Sequence, residues 1–270
     1  MQRVKHRFHH PDGGRHGSLQ SCVRTDDINL VGDGSHLTHF QMLGNFSFGN
    51  DDYHLSVELW HSILRDLGIK DTCIHFHPTQ ICHRRLWEKL GYPTKPDISC
   101  EWSDGQIGGY CCEVFVGDLE IGNLVNPLGT STDVGFGWER LLQVVEGKER
   151  VYQTSLFDER LHPIVSDHSR TLSVMRENGI EPGNKHRSYV CRRLLRRLLP
   201  LIDESNRFEF DDWIHSEIQL RQKSLQQGRR VWRRHKRSLH TTRNSPTSRC
   251  LHERADNSLT EARMFVFDTH

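Results

Sequence analysis

Chemistry in this 270-residue chain points first to arginines and carboxylates that stand beside glycines. Arg24 ends the strand-like run Ser21-Cys22-Val23-Arg24 and precedes the acidic, glycine-containing stretch TDDINLVGDGS. A planar guanidinium there can grip a phosphate with paired N–H donors, or it can simply pair with Asp26 or Asp27 on the surface. The second group is TDVGFGWER, residues 132–140. Gly135 and Gly137 would let backbone approach a ligand closely, with Arg140 in the first turn of a helix; a tight strand-to-helix turn explains the same pattern. His36 with His39, and His75 with His77, have spacings seen in metal sites, but no cysteine pair stands at a suitable distance from either and the chain has 19 histidines. The adjacent Cys111 and Cys112 read as small hydrophobes in a strand. Arg192, Arg193, Arg196 and Arg197 lie along one edge of RRLLRRLL, and residues 221–237 add eight Lys/Arg with no acid around Trp232. Such helices present either a solvated basic face or contacts to a nucleic-acid backbone.

The elements that must carry these groups follow from periodicity. Residues 22–49 read as two strands joined by a polar loop, 73–77 as a strand, and 107–140 as two or three strands running into a helix. Residues 53–67 place Leu55, Leu59, Trp60, Ile63, Leu64 and Leu67 on one helical stripe, and 81–91 form a short helix. Beyond Gly147 three helical stretches follow, at 162–179, 188–202 and 213–237. The expected organisation is a flexible arm over 1–20, a strand-rich domain over 21–147, a helical domain over 148–240 and a disordered tail over 241–270. No internal repeat is visible.

Composition bounds the reading. Hydrophobic residues make up 35% and mean hydropathy is −0.66, so the surface is polar and no stretch approaches the ~20 apolar residues of a membrane span. The start, MQRVKHRFHHPDGGRHG, lacks an apolar signal core, and eight scattered cysteines give no disulfide framework. A cytoplasmic protein with reduced thiols is expected. The net charge of +1 hides an asymmetry: residues 1–180 carry 17 Lys+Arg against 24 Asp+Glu, whereas residues 181–270 carry 19 against 11. The basic end is the one expected to handle a polyanion.

Taken together in chain order, CVR, DINLVG and HLTHFQMLGNFSFG resemble the second class II motif of the alanyl-tRNA synthetase family. TDVGFGWERL is similar to the third motif, EIGNLV to the family's EIWNLVF strand, and DHSRTLSVM with PGNKHRSYVCRRLLRR to its tRNA-contacting helices. The resemblance covers roughly residues 21–237. It implies an α+β fold, a class II synthetase-type antiparallel sheet flanked by helices and followed by an all-helical domain. It also implies ATP-dependent activation of alanine or a similar small amino acid as the aminoacyl-adenylate, then transfer to tRNA.

Carried over by position, the resemblance gives Arg24 the α-phosphate and Arg140 the ATP, with Phe40 on adenine and Gly135 and Gly137 under the nucleotide. Asp133 and Asn123 would hold the amino acid, with Trp102 at its pocket. Glu113 would bind ATP or Mg2+. In the helical part, Asn184 matches a residue that reads the acceptor stem, and Arg187, Arg192, Arg193, Arg196 and Arg197 would meet tRNA. The implied partners are ATP, Mg2+, a small amino acid and the tRNA acceptor stem, with no membrane; oligomeric state is not readable. The family's editing zinc ligands have no counterpart, so no zinc is expected. Departures stand at the amino-acid pocket: Cys100 takes the position of a family Trp, with Trp102 two residues on, and Gly122 replaces the Trp of EIWNLV. The family's first motif has no counterpart in residues 1–20. Two other readings stay open, a noncatalytic tRNA-binding or regulatory paralogue and a ligase acting on a non-tRNA acceptor.

Overall fold

The computed structural model describes residues 5–50, 52–103, 105–203, 208–241 and 264–268. They divide into two compact units, the first reaching Asp167 and including residues 264–268, the second beginning at His168.

The first unit is built on one sheet. Its strands are β1 (Arg15–Arg24), β2 (His39–Ser47), β3 (Thr72–Phe76), β4 (Thr94–Pro96), β5 (Glu101–Ser103), β6 (Gly108–Val116), β7 (Leu119–Val125), β8 (Thr132–Gly137) and β9 (Met264–Asp268). The order is β4-β3-β6-β7-β8-β2-β1-β9, with β5 pairing β6 off this path. Every pairing is antiparallel except β3 with β4. This antiparallel sheet flanked by helices is the α+β architecture expected.

Side-chain alternation divides the sheet into a packed face and a working face. Val134 and Phe136 of β8, Leu124 of β7, Cys112 and Val114 of β6 and Ile74 and Phe76 of β3 point to one side. There they meet α2 (Tyr53–Asp66), α3 (Ile81–Lys89) and α4 (Trp138–Val145) through Tyr53, Val57, Trp60, Leu64, Trp87 and Leu141. Trp60 stacks on Phe136 with ring centroids 3.7 Å apart, and its indole N–H donates to Asn45 Oδ1 at 2.9 Å, so the large ring is buried with its polar atom satisfied. Residues one position out of phase, among them Asp133, Gly135, Gly137 and Asn123, face the other way.

Several expectations are corrected. Residues 1–20 are not an arm throughout: α1 (Lys5–His9) buries Phe8 against Phe46, Phe48 and Ile107, and β1 begins at Arg15. The polar, glycine-rich composition hid a strand that needs only ladder hydrogen bonds to β2. The helix at 53–66 turns Tyr53, Ser56, Val57, Trp60 and Leu64 inward, whereas Leu55, Leu59 and Leu67 are exposed. The expected stripe was wider than the face the sheet accepts. The first unit also extends past 147, because Val151 and Tyr152 pack with Val31 and Leu37. Of the expected tail, Thr241 ends a helix, residues 242–263 and 269–270 lie outside the described residues, and 264–268 form β9 against β1.

The second unit contains α6 (His186–Leu198) and α7 (Asp211–Thr241), with α5 (Pro163–Glu177) leading into it. Val190, Cys191, Leu194, Leu195 and Leu198 form the buried stripe of α6. No helix among the described residues is long and apolar enough to cross a membrane.

Candidate active site

On the working face, cross-strand register brings together residues from distant segments. Gly135 lies between Asn123 of β7 and Gly44 of β2, and Asp133 lies between Val125 and Phe46. Gly137 opposes Met42, and Phe40 opposes Cys22 two residues before Arg24. A cavity of about 120 Å³ opens here, and Arg24, Phe40, Asn123, Gly135, Gly137 and Arg140 all line it. It is smaller than the roughly 300–1,000 Å³ that encloses a drug-sized ligand, so it would take part of a nucleotide and leave the rest over the open sheet.

Three of the sheet glycines leave no room for a side chain. A Cβ at Gly135 would stand 2.7 Å from Met42 Sδ, filling the cavity floor. At Gly44, on the same row, a Cβ would meet the Val134 carbonyl oxygen at 1.9 Å, and at Gly122 it would meet the Phe136 ring at 2.4 Å. Phe136 thus covers Gly122 from the packed side, which is why a glycine is tolerated in the middle of β7.

Each arginine is held in place by a carboxylate. Arg24 Nε lies 3.6 Å from Asp27 Oδ1, the surface pairing its sequence context suggested, yet its side chain is half exposed and remains on the cavity. Burial raises the Asp27 pKa while Arg24 lowers it. Arg140 donates to the Glu120 carbonyl at 2.7 Å and lies 3.3 Å from its carboxylate. Glu139, almost fully buried, accepts the Gln41 backbone N–H at 3.0 and 3.2 Å and so ties the first turn of α4 to β2. Asp27, Glu120, Glu139 and Met42 also line the cavity. None of these four was given a site role from the sequence, although all stand inside stretches that drew attention and Asp27 was named as a partner for Arg24.

Asp133 is buried, and its Oδ2 has no hydrogen-bond partner among the described residues. Burial pushes its pKa up to about 7. An orphaned carboxylate oxygen of this kind suits a cationic N–H donor that arrives with a ligand. Trp102 does not line the cavity. It packs on the cluster of Cys100, Cys111 and Val125 and on that of Phe8, Phe46, Phe48 and Ile107, whose members Val125 and Phe46 flank Asp133 in register. Glu113 is not on the cavity either. It faces Asn123 across the β6–β7 ladder, and its Oε1 lies 3.9 Å from Cys111 Sγ; burial, then Glu120 and Asp97, push its pKa up to about 7.

The histidine pairs are absorbed structurally. His39 is buried and bonds Ser21 at 2.7 Å, His36 pairs with Asp33, and His75 and His77 stack on Phe115 and Tyr110. In the second unit, Asn184 bonds Arg192, whose Nε lies 3.4 Å from Glu217 Oε2. Arg196 Nε meets Glu217 Oε1 at 2.5 Å, and Arg197 Nε donates to His168 Nε2 at 3.1 Å. Glu217 of α7 is buried, so Arg192 and Arg196 clamp α6 to α7. Arg187 is exposed and Arg193 half-buried.

A family model described as "tRNA synthetases class II (A)" matches residues 6–123 and 131–218. Among curated proteins, the chain is 30% identical to an alanine–tRNA ligase of Rubrobacter xylanophilus, over 69% of this chain and 30% of that protein. It is 32% identical to an alanine–tRNA ligase of Desulfitobacterium hafniense, over 70% of this chain and 29% of that protein. It therefore spans about 30% of the length of these relatives. A crystal structure of apo S. aureus histidyl-tRNA synthetase superposes with a TM-score of 0.37 at 12% identity, covering 73% of this chain and 67% of that one, too loose a match to carry an assignment. With the family model matched along both of its halves, the chain belongs to the class II (A) tRNA synthetases.

Proposed function

We propose that the chain activates alanine, or an amino acid of similar size, with ATP and passes the aminoacyl group to tRNA. The observation that carries this reading is the shared cavity of Arg24, Phe40, Asn123, Gly135, Gly137 and Arg140, six residues drawn from four strands and one helix. In the reaction the amino-acid carboxylate attacks the α-phosphorus and pyrophosphate leaves; a hydroxyl of the 3′-terminal ribose then attacks the acyl carbon and AMP leaves. No covalent bond to the protein is needed, so the side chains orient the reactants and stabilise charge developing on phosphorus.

Arg24 is assigned the α-phosphate, Arg140 the nucleotide phosphates, and Phe40 the adenine face. Gly135 and Gly137 keep the sheet surface bare beneath the nucleotide. Asp133 and Asn123 are assigned the substrate ammonium, supported by the unpartnered Asp133 Oδ2. Trp102 would bound the side-chain pocket through the residues flanking Asp133. Mg2+ is assigned to Glu120, which lines the cavity, in preference to Glu113, whose carboxylate lies beside a thiol. Magnesium would supply charge neutralisation on the phosphates. In the helical unit, Asn184, Arg187, Arg192, Arg193, Arg196 and Arg197 are assigned the acceptor stem, and Arg192 and Arg196 also tie α6 to α7 through Glu217.

One observation favours a second reading, a ligase with a non-tRNA acceptor: Arg192, Arg196 and Arg197 are engaged by Glu217 and His168, which leaves fewer arginines of α6 for phosphates. The kinetic split in alanine-dependent pyrophosphate exchange tests the site. Arg24→Ala is expected to lower kcat by about 100–1,000-fold, the loss typical of one electrostatic stabiliser. Phe40→Ala is expected chiefly to raise KM for ATP. Unchanged kcat in Arg24→Ala rejects the assignment.

A further inference from the structure

We propose that Cys100, Cys111 and Glu113 form a binding site for one thiophilic divalent cation, zinc by its ligand chemistry. The Sγ atoms of both cysteines and a carboxylate oxygen of Glu113 all lie within 4.8 Å of one another. On a tetrahedral zinc, a sulfur at ~2.3 Å and an oxygen at ~2.0–2.2 Å stand roughly 3.5 Å apart. Cys111 Sγ and Glu113 Oε1 are already at 3.9 Å, so small side-chain rotations close the set.

The backbone explains the arrangement. Cys111 and Glu113 are two apart on β6 and therefore share a face. Cys100 precedes β5, and the Cys111 N–H donates to the Cys100 carbonyl at 2.9 Å, which fixes the two cysteines side by side. The Cys100 N–H in turn donates to the Asp97 carbonyl at 3.3 Å. Both cysteines are almost fully buried and Glu113 is half-buried. The ligand residues are thus held before any ion arrives, with one partly open side.

The donor set selects the ion. Two thiols and one carboxylate suit zinc, whereas magnesium and calcium take oxygen donors throughout. Glu120 and Asp97 are charged neighbours acting on Glu113, the first shared with Arg140 at 3.3 Å and the second facing His75 Nδ1 at 3.4 Å. Three protein ligands leave a fourth position for water or a ligand atom, the pattern of an accessible zinc. Glu113 is cross-strand to Asn123, and Cys111 is cross-strand to Val125, itself paired with Asp133. The ion would therefore lie on the working face, beside the residues assigned to the amino acid. The proposal runs against the expectation, drawn from the missing editing ligands, that the chain carries no zinc. Metal binding can be read without any activity, so it stands or falls apart from the ligase proposal.

The test is metal content and cobalt spectroscopy on the full chain purified under reducing conditions. One zinc per chain is expected, replaceable by Co2+ with thiolate-to-cobalt charge-transfer and tetrahedral d–d bands. Cys100→Ser, Cys111→Ser and Glu113→Gln should each weaken Zn2+ binding by more than about 100-fold, beyond the cost of losing an outer-shell partner. Cys73→Ser and Cys82→Ser, outside the cluster, should leave it intact. Glu113→Gln preserves size and both thiols, so it decides the question even if a serine variant fails to fold. Substoichiometric zinc with no tetrahedral cobalt spectrum, unchanged affinity in Glu113→Gln, or a Cys100–Cys111 disulfide in the native protein would each overturn the proposal.

Discussion

Asp133 makes the sharpest claim at the scale of single residues. Its folded pKa of about 7 is raised by burial from a usual value of 3.8, so the ionised form is the one the fold disfavours. The stability penalty is absent below about pH 4, grows as pH rises towards 7, and is constant above it. Asp133→Asn removes that penalty, and the variant should be more stable than the parent at pH 8 by roughly 2–4 kcal/mol, with the difference vanishing near pH 4. Denaturant unfolding across this range checks it; an equal difference at both pH values would contradict the burial argument. Ammonium binding has the complementary dependence, because it needs the carboxylate: KM for the amino acid should fall as pH rises through about 7, and this dependence should be absent from Asp133→Asn. Arg24, Gly135, Gly137 and Arg140 drew attention from their residue types and spacing, which equally fitted a surface ion pair and a tight turn; their assignment to a nucleotide, and all of Phe40's, came from the family resemblance of the contiguous runs that hold them. The cluster of Cys100, Cys111 and Glu113 was not, since only the β5–β6 pairing brings Cys100 beside a strand position eleven residues later. The spacing of Cys111 and Glu113, two residues on one strand, was the signal available.

Among the elements, the sheet depends on glycines for two reasons. Gly135 and Gly137 clear the working face, and Gly44 and Gly122 allow close packing against neighbouring backbone and ring. Gly122→Ala places a Cβ 2.4 Å from the Phe136 ring and 2.7 Å from the Gly135 oxygen. A loss of about 1–3 kcal/mol is expected from overpacking, read as a lower denaturation midpoint; a neutral result would mean that Phe136 can move away from Trp60 without cost. In the second unit, Glu217 holds Arg192 and Arg196 while almost wholly buried. Glu217→Ala would leave Arg192 its bond to Asn184 and free Arg196, whose side chain is half exposed, to turn to solvent, so a loss of about 1–3 kcal/mol is expected. A thermal melt insensitive to this change would show that the arginines find solvent instead. Helical periodicity placed α5, α6 and α7 well, but a periodic pattern does not reveal which arginine turns towards another helix. The acid that captures two of them sits on the next helix, over twenty residues away. For α2 the leucine stripe misjudged the inward face, because the sheet receives Tyr53 and Val57 while Leu55 and Leu59 stay in water.

The whole molecule joins an acidic sheet unit with a basic helical part, and each half has its own expected ligand. Binding of tRNA should weaken steeply as salt rises, because phosphate contacts release condensed counterions; a salt-independent affinity would remove the helical unit from RNA recognition. The central claim concerns the sheet unit, where residues scattered from Arg24 to Arg140 line one cavity, proposed to take the nucleotide. It is tested most directly by pyrophosphate exchange into ATP, measured on the folded full chain with alanine, glycine and serine offered separately. The account predicts exchange that requires one of these amino acids, alanine foremost. No exchange with any of them, from protein shown to be folded, would contradict it.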